Sequence, residues 1–272
     1  MPGSPAPWRL ILDAGTPLCG ARNMAVDHAL LASVQDGAPP VLRLYTWQPP
    51  CLSFGRNQHA AGVYSPDLIR VAGLDVVRRP TGGLAVLHHH ELTYAVIAPA
   101  DPLGGPRAAY GRINAALVVG LRSLGVAAAV AGPARAPNPV VDTAAPCFQA
   151  PAPGEVVAGG RKLVGSAQRC ERRVLLQHGS ILLDGSQEDV AALIMTRPAA
   201  APLVTTAAPG SVTLRELLGR QPPLDELARS LRHGFEEVFG TSLALASLAA
   251  DEEARARQLE PVYAGPDWTW RR

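Results

Sequence analysis

The hydrophobic and polar positions of the chain follow both helical and strand periods, and they predict a sheet interleaved with helices. Apolar residues at helical spacing indicate a helix over 20–35. Strands are predicted over 41–47, where apolar and polar positions alternate, and over 51–55 and 74–79. The segment 84–98 favours either one long strand or a bulged pair of strands.

After residue 105 the pattern predicts a helix over 106–124 and, further along, two hairpins. The first hairpin turns at Gly159-Gly160 and the second at a longer polar turn. Thr213 and Glu216 fit a capping box, and an amphipathic helix follows over 224–240. Because hairpins and helices are interspersed without regular alternation, the pattern predicts an α+β or mixed α/β architecture.

Composition excludes several classes of protein. Of the 272 residues 47% are apolar and 18% are charged, which excludes general disorder. The formal charge is 25 − 23 = +2, and this balance argues against a nucleic-acid partner. Since no apolar run reaches roughly 18 residues and the first residues lack the order of a signal peptide, we expect a cytoplasmic protein with no membrane partner.

The cysteines show no paired spacing. Cys19, Cys51, Cys147 and Cys170 form no CxxC motif, so neither a disulfide framework nor a thiolate zinc site is predicted. Lysine usage is more informative, because Lys162 is the only lysine among 25 basic residues. An arginine keeps its proton near neutral pH, whereas an ammonium group can give its proton up. Lys162 is therefore a candidate for proton transfer, with codon bias as the alternative.

Two further segments could carry chemistry. In RRPTGG (78–83), adjacent glycines allow a ligand to approach the backbone and Arg79 could hold an anionic or carbonyl oxygen, but a plain hairpin turn fits equally well. The run His88-His89-His90 could suggest a metal. Because successive strand residues point to opposite faces, at most two of these rings converge, so we expect no metal site. His88 is instead expected to face a pocket or to be structural.

Cys147 and Lys162 form the third candidate. Cys147 lies in a proline-rich segment, where a thiol gains little from core packing, and Lys162 follows the Gly159-Gly160 turn. An ammonium group near a thiol favours the thiolate, which is the nucleophile. The pair therefore predicts a nucleophilic cysteine assisted by an amine.

Three segments of this sequence carry a resemblance to a known superfamily. WQPPCLSFGRNQ (47–58), RRPTGGLAVLHHHELTYAV (78–96) and GRKLVGSAQRCERRVLLQHGSILL (160–183) resemble the biotin/lipoate protein ligase superfamily, most closely its cysteine-dependent octanoyltransferases. The resemblance implies an α+β fold, a mostly antiparallel mixed sheet flanked by helices. It further implies a single domain over 1–272, with a catalytic core at 38–222 and a C-terminal helical segment, 223–272, packed on it.

The resemblance also assigns roles to particular residues. Cys147 falls on the acyl-accepting cysteine of the octanoyltransferases and Lys162 on the lysine of their GRK motif. Lipoate ligases typically lack the cysteine. The substrate-binding residues expected from the matched motifs are Arg79, Thr81, Gly82, Gly83, His88, Gly165, Ser166, Ala167 and His178. Leu84, Val86 and the strand around Leu163 are candidate walls of an apolar slot for the acyl chain.

The activity implied is octanoyl transfer from acyl carrier protein, through a cysteine thioester, to a lysine of lipoyl domains. The implied acceptors are the glycine cleavage H protein or the acyltransferase subunits of dehydrogenases, and no cofactor or metal is expected. Three alternatives stay open: an amidotransferase between lipoyl domains, an ATP-dependent lipoate-protein ligase, and a non-catalytic acyl-binding or carrier-binding module on the same fold.

Overall fold

The computed structural model describes residues 7–132, Phe148, 152–195 and 210–272. Its strands are β1 (Trp8–Leu18), β2 (Val41–Trp47), β3 (Cys51–Phe54), β4 (Asp75–Arg78), β5 (Val86–His88), β6 (Glu91–Pro99), β7 (Ala128–Val130), β8 (Val156–Ala158), β9 (Arg161–Glu171), β10 (Val174–Leu182) and β11 (Leu243–Leu245). Its helices are α1 (Gly20–Gln35), α2 (Pro66–Val71), α3 (Pro106–Ser123), α4 (Leu214–Leu218), α5 (Leu224–Phe239), α6 (Ala250–Ala264) and α7 (Pro266–Thr269), with short 3-10 turns at Asp101–Leu103 and Glu188–Leu193.

Eight strands form one mixed sheet in the order β11-β1-β2-β6-β10-β9-β8-β7. β1 runs parallel to β2 and to β11, whereas the other five ladders are antiparallel. A second sheet has the order β4-β3-β5. This arrangement, with helices on both faces of the larger sheet, confirms the predicted α+β class with a mostly antiparallel mixed sheet.

Most element boundaries agree with the sequence pattern. α1 covers the predicted 20–35, and α3 ends just before Gly125, whose φ of 88° suits glycine at a helix terminus. The capping box of Thr213 and Glu216 is present at the start of α4. Both predicted hairpins, β8–β9 and β9–β10, are formed.

The segment 84–98 forms two strands that belong to different sheets. β5 pairs with β3 in the small sheet, while β6 lies between β2 and β10 in the large one. The chain changes direction at His89-His90, where His90 has a φ of 51°. The sequence pattern does not predict β1 or β11, because β11 is short and only the first residues of β1 alternate between buried and exposed.

The two faces of the large sheet pack against different helices. Leu92, Tyr94 and Val96 of β6 join the core beneath α3 and α5. Ala95 and Ile97, on the opposite face, pack against α1 and α6. The candidate site lies on this second face, where the small sheet also packs. In the part of the chain that the structure describes, no helix is long and apolar enough to cross a membrane.

Candidate active site

A pocket lies between the large sheet and the small sheet. Strand register places Gly165, Ser180, Thr93 and Tyr45 side by side on β9, β10, β6 and β2. With strands about 4.8 Å apart, this row is about 14 Å long. Together with its open mouth, the pocket encloses about 370 Å³ of space between the atoms of its walls. Its walls are formed by Met24, Tyr45, Trp47, Arg79, Gly83, Val86, His88, Thr93, Gly165, Ser166, Ala167, His178, Gly179 and Ser180.

The glycine turn, residues 80–83, covers this row from the side of the small sheet. The Arg79 guanidinium is buried and donates to the carbonyl oxygens of Gly82 and Leu84 at 3.0 and 2.9 Å. A Cβ atom on Gly55 would lie 1.9 Å from the Gly83 carbonyl oxygen, so the turn rests directly on the backbone of Gly55. Arg79 thus uses hydrogen bonds within the chain to hold the turn against the pocket.

Lys162 is buried beside this pocket, with a relative exposure of 1%. Its Nζ donates to Oε1 of Glu155 at 2.7 Å and lies 4.8 Å from the centroid of the Phe148 ring. A Cβ atom on Gly165 would lie 3.1 Å from Lys162 Cε, which places the ammonium stem against the pocket wall. Glu155 was not among the residues predicted from the sequence, although it begins the hairpin that carries Lys162.

Cys147 lies outside the described residues. Phe148, which follows it in the sequence, is buried and packs with Val86 and Leu182. A Cβ atom on Gly165 would lie 2.7 Å from Phe148 Cζ. Phe148 is therefore in contact with the wall of the pocket.

His178 is held by two polar partners at the pocket wall. Its Nδ1 lies 3.0 Å from Asp27 Oδ2 and its Nε2 lies 2.6 Å from Thr81 Oγ1. Burial lowers the pKa of His178, opposed by Asp27. In the neutral ring Nδ1 donates to the carboxylate, so Nε2 accepts from the Thr81 hydroxyl.

Asp27 connects this histidine to a buried network. Arg43 donates to Asp27 Oδ1 at 2.9 Å and to Asp13 Oδ2 at 2.8 Å, and the Tyr45 hydroxyl donates to Asp27 Oδ2 at 2.9 Å. Burial raises the pKa of Asp27, but hydrogen bonding to His178 and the charge of Arg43 outweigh it, so the pKa is lowered. Asp27 was not among the residues predicted from the sequence.

His88 faces the pocket, as one of the open alternatives had it. Its Nδ1 lies 2.8 Å from Glu91 Oε1, its Nε2 lies 2.5 Å from Ser53 Oγ, and the Trp47 ring stacks on it at 4.0 Å. Within the described ranges, no group of three or more His, Cys, Asp or Glu side chains could hold a metal ion.

The structure brings most of the expected substrate-binding residues to this one pocket. Those that line it are Arg79, Gly83, His88, Gly165, Ser166, Ala167 and His178. Thr81 and Gly82 lie behind them, the first bonded to His178 and the second to Arg79. Of the candidate apolar walls, Val86 lines the pocket, whereas Leu163 belongs to the core on the other face of the sheet.

The family to which the chain belongs agrees with this site, in which a buried lysine lies beside a pocket between a mixed sheet and a glycine turn. Residues 20–236 match the lipoyl protein ligase A/B catalytic domain, and the chain belongs to this family.

Relatives that match nearly the whole chain identify the class of enzyme within this family. The chain is 38% identical over 271 residues to the octanoyltransferase LipM of Moorella thermoacetica, covering 97% of this chain and 98% of the relative. It is 34% identical to the octanoyltransferase LipM of Bacillus subtilis, with the same coverage. The expectation of an octanoyl-transferring enzyme of protein lipoylation is thereby confirmed.

Solved structures share the fold. The bi-partite lipoate protein ligase of Thermoplasma acidophilum superposes with a TM-score of 0.79 at 23% identity, covering 97% of this chain and 96% of that chain. A lipoate-protein ligase A bound with ATP gives a TM-score of 0.74 at 23% identity, covering 97% and 98%.

Proposed function

We propose that this enzyme transfers an octanoyl group from acyl carrier protein to a lysine of lipoyl domains through a thioester on Cys147. The observation that carries the proposal is the position of Lys162. The chain's only lysine is buried beside the pocket, and it lies against Phe148, the residue that follows Cys147. Of the two residues paired by the sequence analysis, Lys162 is therefore at the pocket wall.

The length of the strand row behind the pocket supports an eight-carbon acyl chain. Seven carbon–carbon bonds of about 1.5 Å span roughly 9 Å in a zigzag, which fits within the row from Gly165 to Tyr45. The acyl carbonyl is placed at the Gly165 end, near Lys162, and the methyl end toward Tyr45 and Trp47. Each buried methylene contributes about 0.8 kcal/mol to binding.

In the first step the Cys147 thiolate attacks the thioester carbonyl of octanoyl-acyl carrier protein. A bond forms between the cysteine sulfur and the acyl carbon, and the bond to the phosphopantetheine sulfur breaks. The departing thiolate takes a proton from the Lys162 ammonium. Because one thioester replaces another, no ATP enters this step.

In the second step the ε-amine of the acceptor lysine attacks the octanoyl-cysteine carbonyl. The new carbon–nitrogen bond forms the amide, the carbon–sulfur bond breaks, and Lys162 takes up the proton that the amine loses. Backbone N–H groups of the glycine turn and of Gly165–Ala167 are the proposed donors to the oxyanion, and one such donor is commonly worth about 3 kcal/mol of barrier.

The acceptors proposed are the glycine cleavage H protein or the acyltransferase subunits of dehydrogenases, and the location proposed is the cytoplasm. Sequence resemblance supports these two assignments. An amidotransferase that moves octanoyl between lipoyl domains would use the same cysteine and lysine. The choice of acyl carrier protein as the donor is therefore part of the proposal.

Intact-mass spectrometry after mixing the enzyme with octanoyl-acyl carrier protein tests the proposal. We expect a gain of one octanoyl group that hydroxylamine removes and that is lost in Cys147→Ala. Cys170→Ala is the matched control, because Cys170 is exposed on β9, and it keeps the adduct. Transfer that needs ATP and survives Cys147→Ala would identify a ligase, and a wild-type enzyme without an adduct would identify a binding module.

A further inference from the structure

Four arginines lie close together on the surface next to the pocket. This arginine patch consists of Arg56, Arg169, Arg271 and Arg272, and the charges of the other three act on Arg271. The Arg271 guanidinium stacks on the Trp268 ring at 3.9 Å, and that of Arg56 lies 5.6 Å from the same ring. Arg271 also donates to the Arg56 carbonyl oxygen at 2.6 Å, which fixes the two side by side.

Side-chain carboxylates do not balance the arginine patch. Arg169 pairs with Glu171, but Arg56, Arg271 and Arg272 form no ion pair with any described carboxylate. Beneath them the buried Arg78 donates to main-chain oxygens, those of Thr269, Gly55, Arg56, Gln58 and Arg272.

The effect of this charge is visible in two guanidinium groups. Burial, followed by the charges of Arg271, Arg272 and Arg79, lowers the pKa of Arg78 to about 10. Burial and the charges of Arg56 and Arg272 also lower the pKa of Arg271. Asp267, exposed in α7, is the carboxylate that lies beside Trp268 in the sequence. Since only Arg169 of the arginine patch has an ion pair with a described side-chain carboxylate, the patch is positively charged and favours an anion.

The arginine patch adjoins the pocket through the backbone. The Arg56 N–H donates to the Thr81 carbonyl oxygen at 2.7 Å, so Arg56 is joined to the glycine turn. Arg169 follows Ala167 by two positions on β9 and therefore lies on the same face of the sheet. Since Ala167 lines the pocket, Arg169 is about 7 Å further along that face.

The charges of the two substrates decide which of them this surface suits. Under the proposed mechanism the donor's thioester is attached through a phosphopantetheine arm, which carries a phosphodiester anion. The acceptor brings a lysine, which is a cation before it loses its proton. Arginine forks bind phosphates and carboxylates in pairs of hydrogen bonds, and they repel an approaching ammonium.

We propose that the arginine patch is the docking surface for the anionic face of the carrier domain that delivers the acyl thioester. This inference rests on the proposed function for the identity of the donor. Docking steers the carrier to the pocket mouth and raises the rate of productive encounter, and it contributes little to the chemical step.

Charge reversal tests this assignment. Arg56→Glu and Arg271→Glu are each expected to raise KM for octanoyl-acyl carrier protein. The double variant is expected to raise this KM by about tenfold or more, with kcat nearly unchanged. KM for octanoyl-pantetheine, which lacks both phosphate and protein, is expected to stay at the wild-type value. Arg271→Lys keeps the charge and is expected to retain most of the affinity.

Arg229→Glu is the matched control, because Arg229 is exposed on α5, which packs against the opposite face of the sheet. An unchanged KM for the carrier in the double variant would overturn the proposal. An equal rise in KM for octanoyl-coenzyme A would also overturn it, because phosphate alone would then explain the effect. A rise in KM confined to the lipoyl acceptor would overturn it as well.

Salt provides a second measurement on the wild-type enzyme, which does not depend on any variant folding. Between about 0.05 and 0.3 M NaCl, kcat/KM for the carrier is expected to fall by about fivefold or more, while the value for octanoyl-pantetheine stays constant. Equal salt dependence for both donors would overturn carrier docking. Adduct formation from octanoyl-pantetheine tests the proposed acyl-cysteine independently, so failure of either idea can be told from failure of the other.

Discussion

Lys162 Nζ and Glu155 Oε1 lie 2.7 Å apart at the start of the β8–β9 hairpin, and both side chains are buried. The ammonium therefore has a counter-charge on one side and the Phe148 ring on another. Glu155 also accepts a hydrogen bond from the Ala152 N–H at 2.8 Å, which fixes the carboxylate to the chain before β8. The segment that leads into its own hairpin thus supplies the counter-charge of Lys162.

Removing the carboxylate should be costly. Glu155→Gln leaves the Lys162 ammonium buried without this counter-charge, and breaking one side of a buried ion pair typically costs about 3–5 kcal/mol. We expect the free energy of unfolding in urea to fall by that order. Asp225→Asn, which breaks an exposed pair with Arg229, is the control and should have a much smaller effect. Equal effects of the two changes would contradict a buried, energetically significant pair.

The identity of the cation should matter for transfer. Lys162→Arg preserves the charge but removes a group that can lose its proton, so we expect octanoyl transfer to fall by about 10²- to 10⁴-fold while the protein stays folded. The double variant Arg161→Lys, Lys162→Arg has the same composition and net charge as the wild type and should be equally inactive. Activity in the double variant would show that any nearby amine suffices.

The sequence was most informative where function restricts residue type. Lysine in an otherwise arginine-only set of bases pointed to Lys162, and the glycine turn and His178 came from matched motifs. Glu155 could not be found in this way, because a glutamate before a strand is ordinarily a solvated residue and nothing local reveals that the hairpin buries it. The same holds for Asp27, whose partners His178 and Arg43 are 151 and 16 residues away.

Strands were predicted where several residues alternate, as in β2, or where a short run lies between turn residues, as in β3 and β4. β11 has only three residues, and β1 loses its alternation after Ile11. The run 84–98 was ambiguous because both of its strands are buried on both faces, so its pattern has no period of two. Only the tertiary structure assigns β5 and β6 to different sheets.

Acid should destabilise the enzyme through the buried His178 and the half-buried His28. Burial lowers the pKa of His178 and of His28 in the folded state, so the unfolded chain binds more protons between those values and about pH 6.5. Stability therefore rises with pH across this window and falls on acidification. The lowered pKa of Asp27 acts in the same direction at lower pH, below its unfolded value.

We expect the free energy of unfolding to fall between about pH 6.5 and 5, with a slope of at most about 1.4 kcal/mol per pH unit for each histidine. His178→Asn should reduce this slope, whereas His233→Gln, on the exposed side of α5, should not. Urea unfolding at a series of pH values measures the slope. A slope that is unchanged in His178→Asn would contradict a neutral, buried ring at the pocket wall.

A single methyl group at the pocket wall should disturb the catalytic pair. In Gly165→Ala the new Cβ would lie 2.7 Å from Phe148 Cζ and 3.1 Å from Lys162 Cε, so the Phe148 ring must move. Since Phe148 follows the proposed nucleophile and a displacement of about 1 Å can cost about 100-fold in rate, we expect acyl-adduct formation to slow by roughly 10- to 100-fold. Single-turnover mass spectrometry with octanoyl-acyl carrier protein measures that rate.

Gly111→Ala, in α3 with nothing within 4 Å of the added Cβ, is the control and should keep the wild-type rate while stabilising the helix by up to about 1 kcal/mol. If Gly165→Ala acylates at the wild-type rate, the contact between Gly165 and Phe148 does not position the nucleophile, and the assignment of the acyl carbonyl to this end of the pocket fails with it.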